Sequence, residues 1–162
     1  MAVKQKVLVL YFSYTGNTRQ IAHKISEGVG GYIVELETNE QYSPDYSAVV
    51  EQAEKEVKSN YKPNLKTKID NMDSYDVIFL GSPIWWHTIA PPLVTFLAEN
   101  NLEGKKILLF TTNSGSGAAH SVKDVQKFSA KANFVDSISL DTSNGMVHSL
   151  AEVSRWLYEI VF

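Results

Sequence analysis

A run of hydroxyl- and amide-bearing residues, Ser13-Tyr14-Thr15-Gly16-Asn17-Thr18, follows the apolar stretch Val7–Phe12 and leads into a helical pattern. Residue types of this kind at a helix start suit the binding of a phosphate monoester. Backbone N–H groups point out of the helix end, and the helix dipole adds partial positive charge. The hydroxyls of Ser13, Thr15 and Thr18 and the amide of Asn17 are further donors, and Gly16 lets the backbone come close. The run has neither the lysine of a P-loop nor the spaced glycines of a dinucleotide fingerprint, so a phosphate here would be held by neutral donors. The same residues also serve an ordinary helix cap, a role that suits Asn17 or Thr18.

Two other runs occupy matching places. Gly81-Ser82-Pro83-Ile84-Trp85-Trp86-His87-Thr88 follows the apolar run Val77–Leu80. Two tryptophans beside a proline, where the chain leaves the core, suit stacking on a planar ring; one of them also suits packing under the next helix. Thr112-Asn113-Ser114-Gly115-Ser116-Gly117 follows Ile107–Phe110 and offers N–H and hydroxyl donors with glycines for close backbone approach. Taken alone, it also reads as an empty, flexible loop. The three together describe a pocket for a ligand with a phosphate at one end and a flat aromatic at the other. Histidine as a residue type suits proton transfer near neutral pH, which makes His87 a candidate for assisting it there, or a plain exposed loop histidine. His120 flanks or caps the fourth helix, and His23 and His148 read as helix-surface residues.

The elements that must position these loops are legible as alternating patterns. The runs Val7–Phe12, Tyr32–Leu36, Val77–Leu80 and Ile107–Phe110, with a weaker fifth at Phe134–Leu140, are apolar with little alternation, as in strands covered on both faces. Helical spacing marks Thr18–Val29, Pro91–Asn100, Ser121–Ala132 and Met146–Phe162. Alternation of strand and helix predicts a parallel sheet with helices on both sides, where ligands sit beyond the carboxyl ends of the strands. The polar segment from Glu37 to Tyr75 is longer than a plain crossover. It predicts a helix over Tyr46–Lys58, capped by Ser43-Pro44-Asp45, an irregular stretch over Ser59–Asn71, and an excursion over the surface or toward the site.

The bulk properties narrow the classes. A chain of 162 residues, 44% hydrophobic and 20% charged, fits one globular domain over 1–162. There is no cysteine, which excludes disulfides, thiolate metal sites and a cysteine nucleophile, and no metal site is expected. A net charge of -3 gives no reason to expect nucleic acid or an anionic membrane as partner. The opening "MAVKQKVLVLYF" has a basic start and an apolar run. That run is too short for a membrane span, lacks a small-residue cleavage site and leads straight into the first loop, so a cytoplasmic protein is expected.

"YFSYTGNTRQIA", "GSPIWW" and "TTNSGSG", in this order and on these strands, resemble the flavodoxin-like proteins that bind FMN. The resemblance covers essentially the whole chain, and "PIWW" is similar to a flavodoxin subgroup with an extended segment after strand two. It implies a doubly wound five-stranded parallel sheet of order 2-1-3-4-5 in a three-layer α/β/α arrangement. It further implies that Ser13, Tyr14, Thr15, Gly16, Asn17 and Thr18 wrap the FMN phosphate. Pro83, Ile84, Trp85 and Trp86 would line the isoalloxazine, and Thr112, Asn113, Ser114, Gly115 and Gly117 would contact its pyrimidine end. No residue is assigned a catalytic role; the flavin carries the chemistry, while the protein sets potential and access.

Two roles then compete. One is an electron carrier meeting a redox partner protein. The other is an oxidoreductase taking hydride from NAD(P)H and passing it to a quinone or similar small acceptor. Carrier flavodoxins are usually strongly acidic, and long-chain ones carry an insertion in the fifth strand; here the charge is mild and only Asp141–Gly145 precedes the last helix. The mild charge, the tryptophan pair and the long segment after strand two, which could shape an acceptor pocket, lean toward the enzyme; a monomer or homodimer is expected in either role. A response-regulator receiver would need carboxylates where Ser13 and Gly81-Ser82 stand, and a low-molecular-weight tyrosine phosphatase would need a cysteine. In "NSGSGAAH", Ser114 stands where a nucleophile elbow needs its first glycine, which argues against a serine hydrolase.

Overall fold

The computed structural model describes residues 4–162. Met1–Val3, the first residues of the basic opening weighed above as a leader, lie outside the described residues. Five strands, β1 (Val7–Tyr11), β2 (Tyr32–Glu35), β3 (Val77–Trp85), β5 (Lys106–Asn113) and β6 (Asn133–Asp141), pair in parallel in the order β2-β1-β3-β5-β6. A two-residue strand, β4 (Thr88–Ile89), folds back antiparallel on the end of β3. With β4 set aside, the order is the expected 2-1-3-4-5.

Because successive strand residues face opposite sides, one apolar run feeds two cores. Leu8, Leu10, Ile78, Leu80, Ile107 and Leu109 face Leu93, Phe96 and Leu97 of α3 (Pro91–Glu99) and Val125 of α4 (Ser121–Phe128). Val7, Val9, Val77, Phe79, Leu108 and Phe110 face Ile21, Ala22 and Ile25 of α1 (Asn17–Val29) and Val153 and Trp156 of α5 (Met146–Glu159). The result is an α/β/α sandwich whose central strands have no wet face. That is why they carry no polar alternation.

Two strands run farther than their apolar cores suggest. β3 continues through Gly81, Ser82 and Pro83, which stay in register with Phe110, Thr111 and Thr112 of β5. Gly81 permits this: a Cβ there would come within 2.1 Å of the Phe110 ring, so the missing side chain makes room for the phenyl group. Much of what reads as the second loop is therefore strand. At its end, Trp86 and His87 form a two-residue turn with φ of 49° and 71° before β4. Both residues lie in the left-handed region that tight hairpins require. Conversely, α4 stops at Phe128, short of Ala132, where the Ser129 hydroxyl donates to the Val125 carbonyl and diverts the last turn.

The excursion after β2 is ordered. Its helix α2 (Tyr46–Ser59) is capped by Asp45, whose carboxylate accepts the Ser47 N–H at 3.2 Å. The irregular stretch beyond is pinned to the body: the Thr67 hydroxyl donates to the Glu35 carbonyl, and the Thr95 hydroxyl to that of Pro63. Among the described residues, no helix is long and apolar enough to cross a membrane.

Candidate functional site

The segments leaving β1, β3, β5 and β6 meet beyond the carboxyl ends of the strands, around a cavity of about 390 Å³. From the first loop, Tyr14, Thr15, Asn17 and Thr18 line it. Ser13 and Gly16 lie outside the lining and shape the loop. The Ser13 hydroxyl accepts the N–H groups of Gly16 and Arg19 at 3.2 and 3.3 Å, and Gly16 turns the chain at φ +99°.

The cap is not made by Asn17 or Thr18. The Asn17 amide donates to Thr142 Oγ1 at 3.3 Å, the Thr18 and Thr112 hydroxyls pair at 2.8 Å, and neither bonds back to the start of α1. Among the described residues, no group accepts a hydrogen bond from the backbone N–H of Tyr14, Thr15, Asn17 or Thr18. Four donors at the positive end of a helix dipole are left to an outside acceptor.

Pro83, Ile84, Trp85 and Trp86 all line the cavity. The two indoles are held differently, and Trp85 packs against the core layer that also contains Leu93, Phe96 and Leu97 of α3. Trp85 sits edge-on among Phe12, Tyr14 and Tyr42, with ring centroids 5.3, 6.0 and 5.1 Å away. Trp86 at the hairpin tip is 39% exposed, and its Nε1–H donates to the Val50 carbonyl of α2 at 2.9 Å. His87 is not among the lining residues and is exposed, its carbonyl accepting the His120 N–H.

From the third loop, Thr112, Asn113 and Ser114 line the cavity together with Ser116. Gly115 and Gly117, at φ +111° and +69°, turn the chain but lie outside the lining. Asn113 holds this loop: its side-chain Nδ2 donates to Ser139 Oγ and its Oδ1 accepts the Gly115 N–H, both at 2.8 Å.

Sequence reasoning missed one wall and one corner. Tyr46, Val49, Val50 and Ala53 of α2 form the wall facing the hairpin. Their spacing of three, four and seven residues was a visible apolar stripe, although nothing in it says whether core or cavity lies opposite. Thr142, in a single 3-10 turn after β6, closes the corner by donating to the Asn113 carbonyl and accepting from Asn17. A hydroxyl just past a strand end was the available signal.

Among the described residues, no charged side chain lines this cavity. The nearest charges at the first loop stand behind it. Arg19 Nε and Nη2 donate to the two carboxylate oxygens of Glu35 at 2.8 and 2.7 Å, and the Tyr11 hydroxyl donates to Glu35 Oε1 at 2.7 Å. The Arg19 hydrogen bond holds the Glu35 carboxyl below the usual glutamate range, while burial and the bond to Glu35 push the Tyr11 phenol up. A second cavity of about 400 Å³ opens on that side, and Tyr14 borders both. The Tyr14 hydroxyl donates to the Ser43 carbonyl at 2.5 Å, tying the first loop to the approach to α2. Among the described residues, no cluster of three or more His, Asp or Glu could hold a metal ion. The arrangement can hold an anion on backbone N–H groups and enclose an uncharged, flat body between an aromatic hairpin, a helix wall and a hydroxyl-rich loop.

A family model described as flavodoxin matches residues 6–160. A candidate flavoprotein from Bacteroides eggerthii is 28% identical, with a TM-score of 0.83 over 97% of this chain and 98% of that one. Another from Bacteroides uniformis is 27% identical, with a TM-score of 0.84 over 96% and 99%. A flavoprotein from Lactobacillus acidophilus, solved in complex with FMN, is 23% identical with a TM-score of 0.77 over 94% and 99%, a likeness of fold.

Proposed function

The chain belongs to the flavodoxin family, and from that premise we propose that it acts as one domain transferring electrons through bound FMN. The observation that carries the reading is the set of four free N–H groups at the start of α1, opening on an uncharged cavity whose other end is the tryptophan hairpin. These residues fit FMN. A dianionic phosphate satisfies donors that otherwise have no acceptor, and the apolar walls of Ile84, Trp85, Trp86 and Val50 suit a flat ring.

When bound, FMN supplies the acceptance and release of electrons. The residues of the chain bind and enclose it. Tyr14, Thr15, Asn17 and Thr18 donate N–H groups to the phosphate, on a loop kept open by Ser13 and Gly16. Pro83, Ile84, Trp85 and Trp86 shield one region of the ring from water. Thr112, Asn113 and Ser114, on the turn made by Gly115 and Gly117, face its polar end. Among the described residues, the lining contains no histidine, carboxylate, lysine or arginine.

A second reading is favoured by the uncharged lining and by Tyr46, which lines the cavity from α2 and is exposed. It is an NAD(P)H-dependent oxidoreductase reducing a quinone or similar small acceptor. A carrier that docks by charge gains from a strongly charged surface, and a net charge of -3 provides little steering. A cytoplasmic location and a monomer or homodimer fit both readings.

The test is an absorption spectrum with added FMN, followed anaerobically by NADPH and then a quinone. Bleaching by NADPH alone, reversed by quinone, establishes the enzyme. Bleaching only by dithionite or an added reductase establishes the carrier. Failure to shift or quench the flavin spectrum overturns both.

A further inference from the structure

Arg19 is the one charged residue in the stretch Ser13–Gln20. It stands in the first turn of α1, and its guanidinium lies against the back of the loop. Nη1 is 3.6 Å from the place a Cβ on Gly16 would take. Nε and Nη2 are held by Glu35, leaving Nη1 without a partner among the described residues. Glu35 is itself fixed by the sheet: the β1–β2 register sets it beside Tyr11, which donates to it. A cation thus stands beside the Gly16 turn, which in the chain separates the free N–H groups of Thr15 and Asn17, with its counter-charge anchored to a strand rather than to the loop. Neither Arg19 nor Glu35 lines the cavity, so neither touches a ligand there; both act on it through charge alone.

Resting on the FMN reading above, we infer that Arg19 and Glu35 set how strongly this pocket prefers a phosphorylated flavin to an unphosphorylated one. Arg19 raises that preference by its charge. Glu35, oriented by Tyr11, is the positioning residue that holds the guanidinium behind the loop and tempers its field. Riboflavin, which has the same ring and no phosphate, is indifferent to both. The two partners therefore have opposite signs, a pattern that loop distortion does not produce.

The experiment titrates the wild type, Arg19→Met and Glu35→Gln with FMN and with riboflavin, following flavin fluorescence at low salt and at about 1 M salt. The expected result is a fall of about two- to fivefold in the FMN-to-riboflavin affinity ratio for Arg19→Met, and a rise of similar size for Glu35→Gln. Riboflavin affinity stays constant, and both shifts collapse at high salt, where the screening length is about 3 Å. Equal changes for both flavins, or an unchanged ratio, overturn the inference and leave the FMN reading standing. A wild type that binds neither flavin overturns that reading and the inference with it. Should Arg19→Met fail to fold by circular dichroism, Glu35→Gln, which keeps the side-chain size and an acceptor for Arg19, decides by its sign alone.

Discussion

The hydroxyls of Thr18 and Thr112, both buried, join the first loop to the end of β5 across 94 residues of chain. Thr18→Val keeps the shape but leaves the buried Thr112 hydroxyl without its partner. It should lower the stability of the flavin-free protein by about 1–3 kcal/mol, measured by urea unfolding, and weaken FMN binding as the loop loosens. Residue types made both threonines visible as candidates, but their partnership was not visible, because nothing local in a sequence encodes a contact of that span. Ser13 shows the converse. Its type marked it as a phosphate donor, and its oxygen also accepts the Gly16 and Arg19 N–H groups of its own loop, a bond confined to neighbouring residues.

At the scale of elements, the hairpin was the part least readable in advance. Gly81 and Pro83 are strand breakers by type, and Trp86-His87 is not a turn pair that signals a hairpin. The partner strand and the Phe110 ring override those signals. The turn carries a cost: His87 sits at φ 71° with an ordinary side chain. His87→Gly should therefore raise stability by about 1 kcal/mol, seen as a higher melting temperature, with FMN affinity unchanged because His87 does not line the cavity. A loss of affinity would show that the imidazole has a role at the site. The helix α2 was legible as a helix with an apolar stripe. That the stripe forms a cavity wall depends on where the excursion carries it, which its periodicity does not specify.

For the whole molecule, buried strand runs alternating with helices were enough to give the fold class, while the order of strands came from the resemblance, since periodicity does not rank neighbours. The charged network around Glu35 links stability to pH in one direction and the tyrosines link it in the other. The Glu35 carboxyl lies below 4.5 when folded, chiefly because of Arg19, so its contribution is complete above pH 4.5 and is lost as the pH falls through the folded value. Burial, with the hydrogen bonds to Glu35 and Glu56, raises Tyr11 and Tyr42 above 10.0. Their contribution is complete below pH 10.0 and is lost as the pH climbs through the folded values. Urea midpoints across pH should form a plateau between these limits, and Glu35→Gln should make the acid limb shallower; an unchanged limb would assign it to other carboxylates. At a hundredfold excess of FMN over its dissociation constant, the plateau should rise by about 2.7 kcal/mol.

The placement of the three tryptophans gives the molecule a built-in optical reporter. Trp85 and Trp86 border the cavity, whereas Trp156 lies in the opposite core layer against Phe79. A flavin in the cavity absorbs where indoles emit and sits against two of the three. Loading should extinguish the emission of that pair first, and the light that persists should come mainly from Trp156, blue-shifted by its burial. One emission spectrum would then report occupancy from the cavity pair and global unfolding from Trp156.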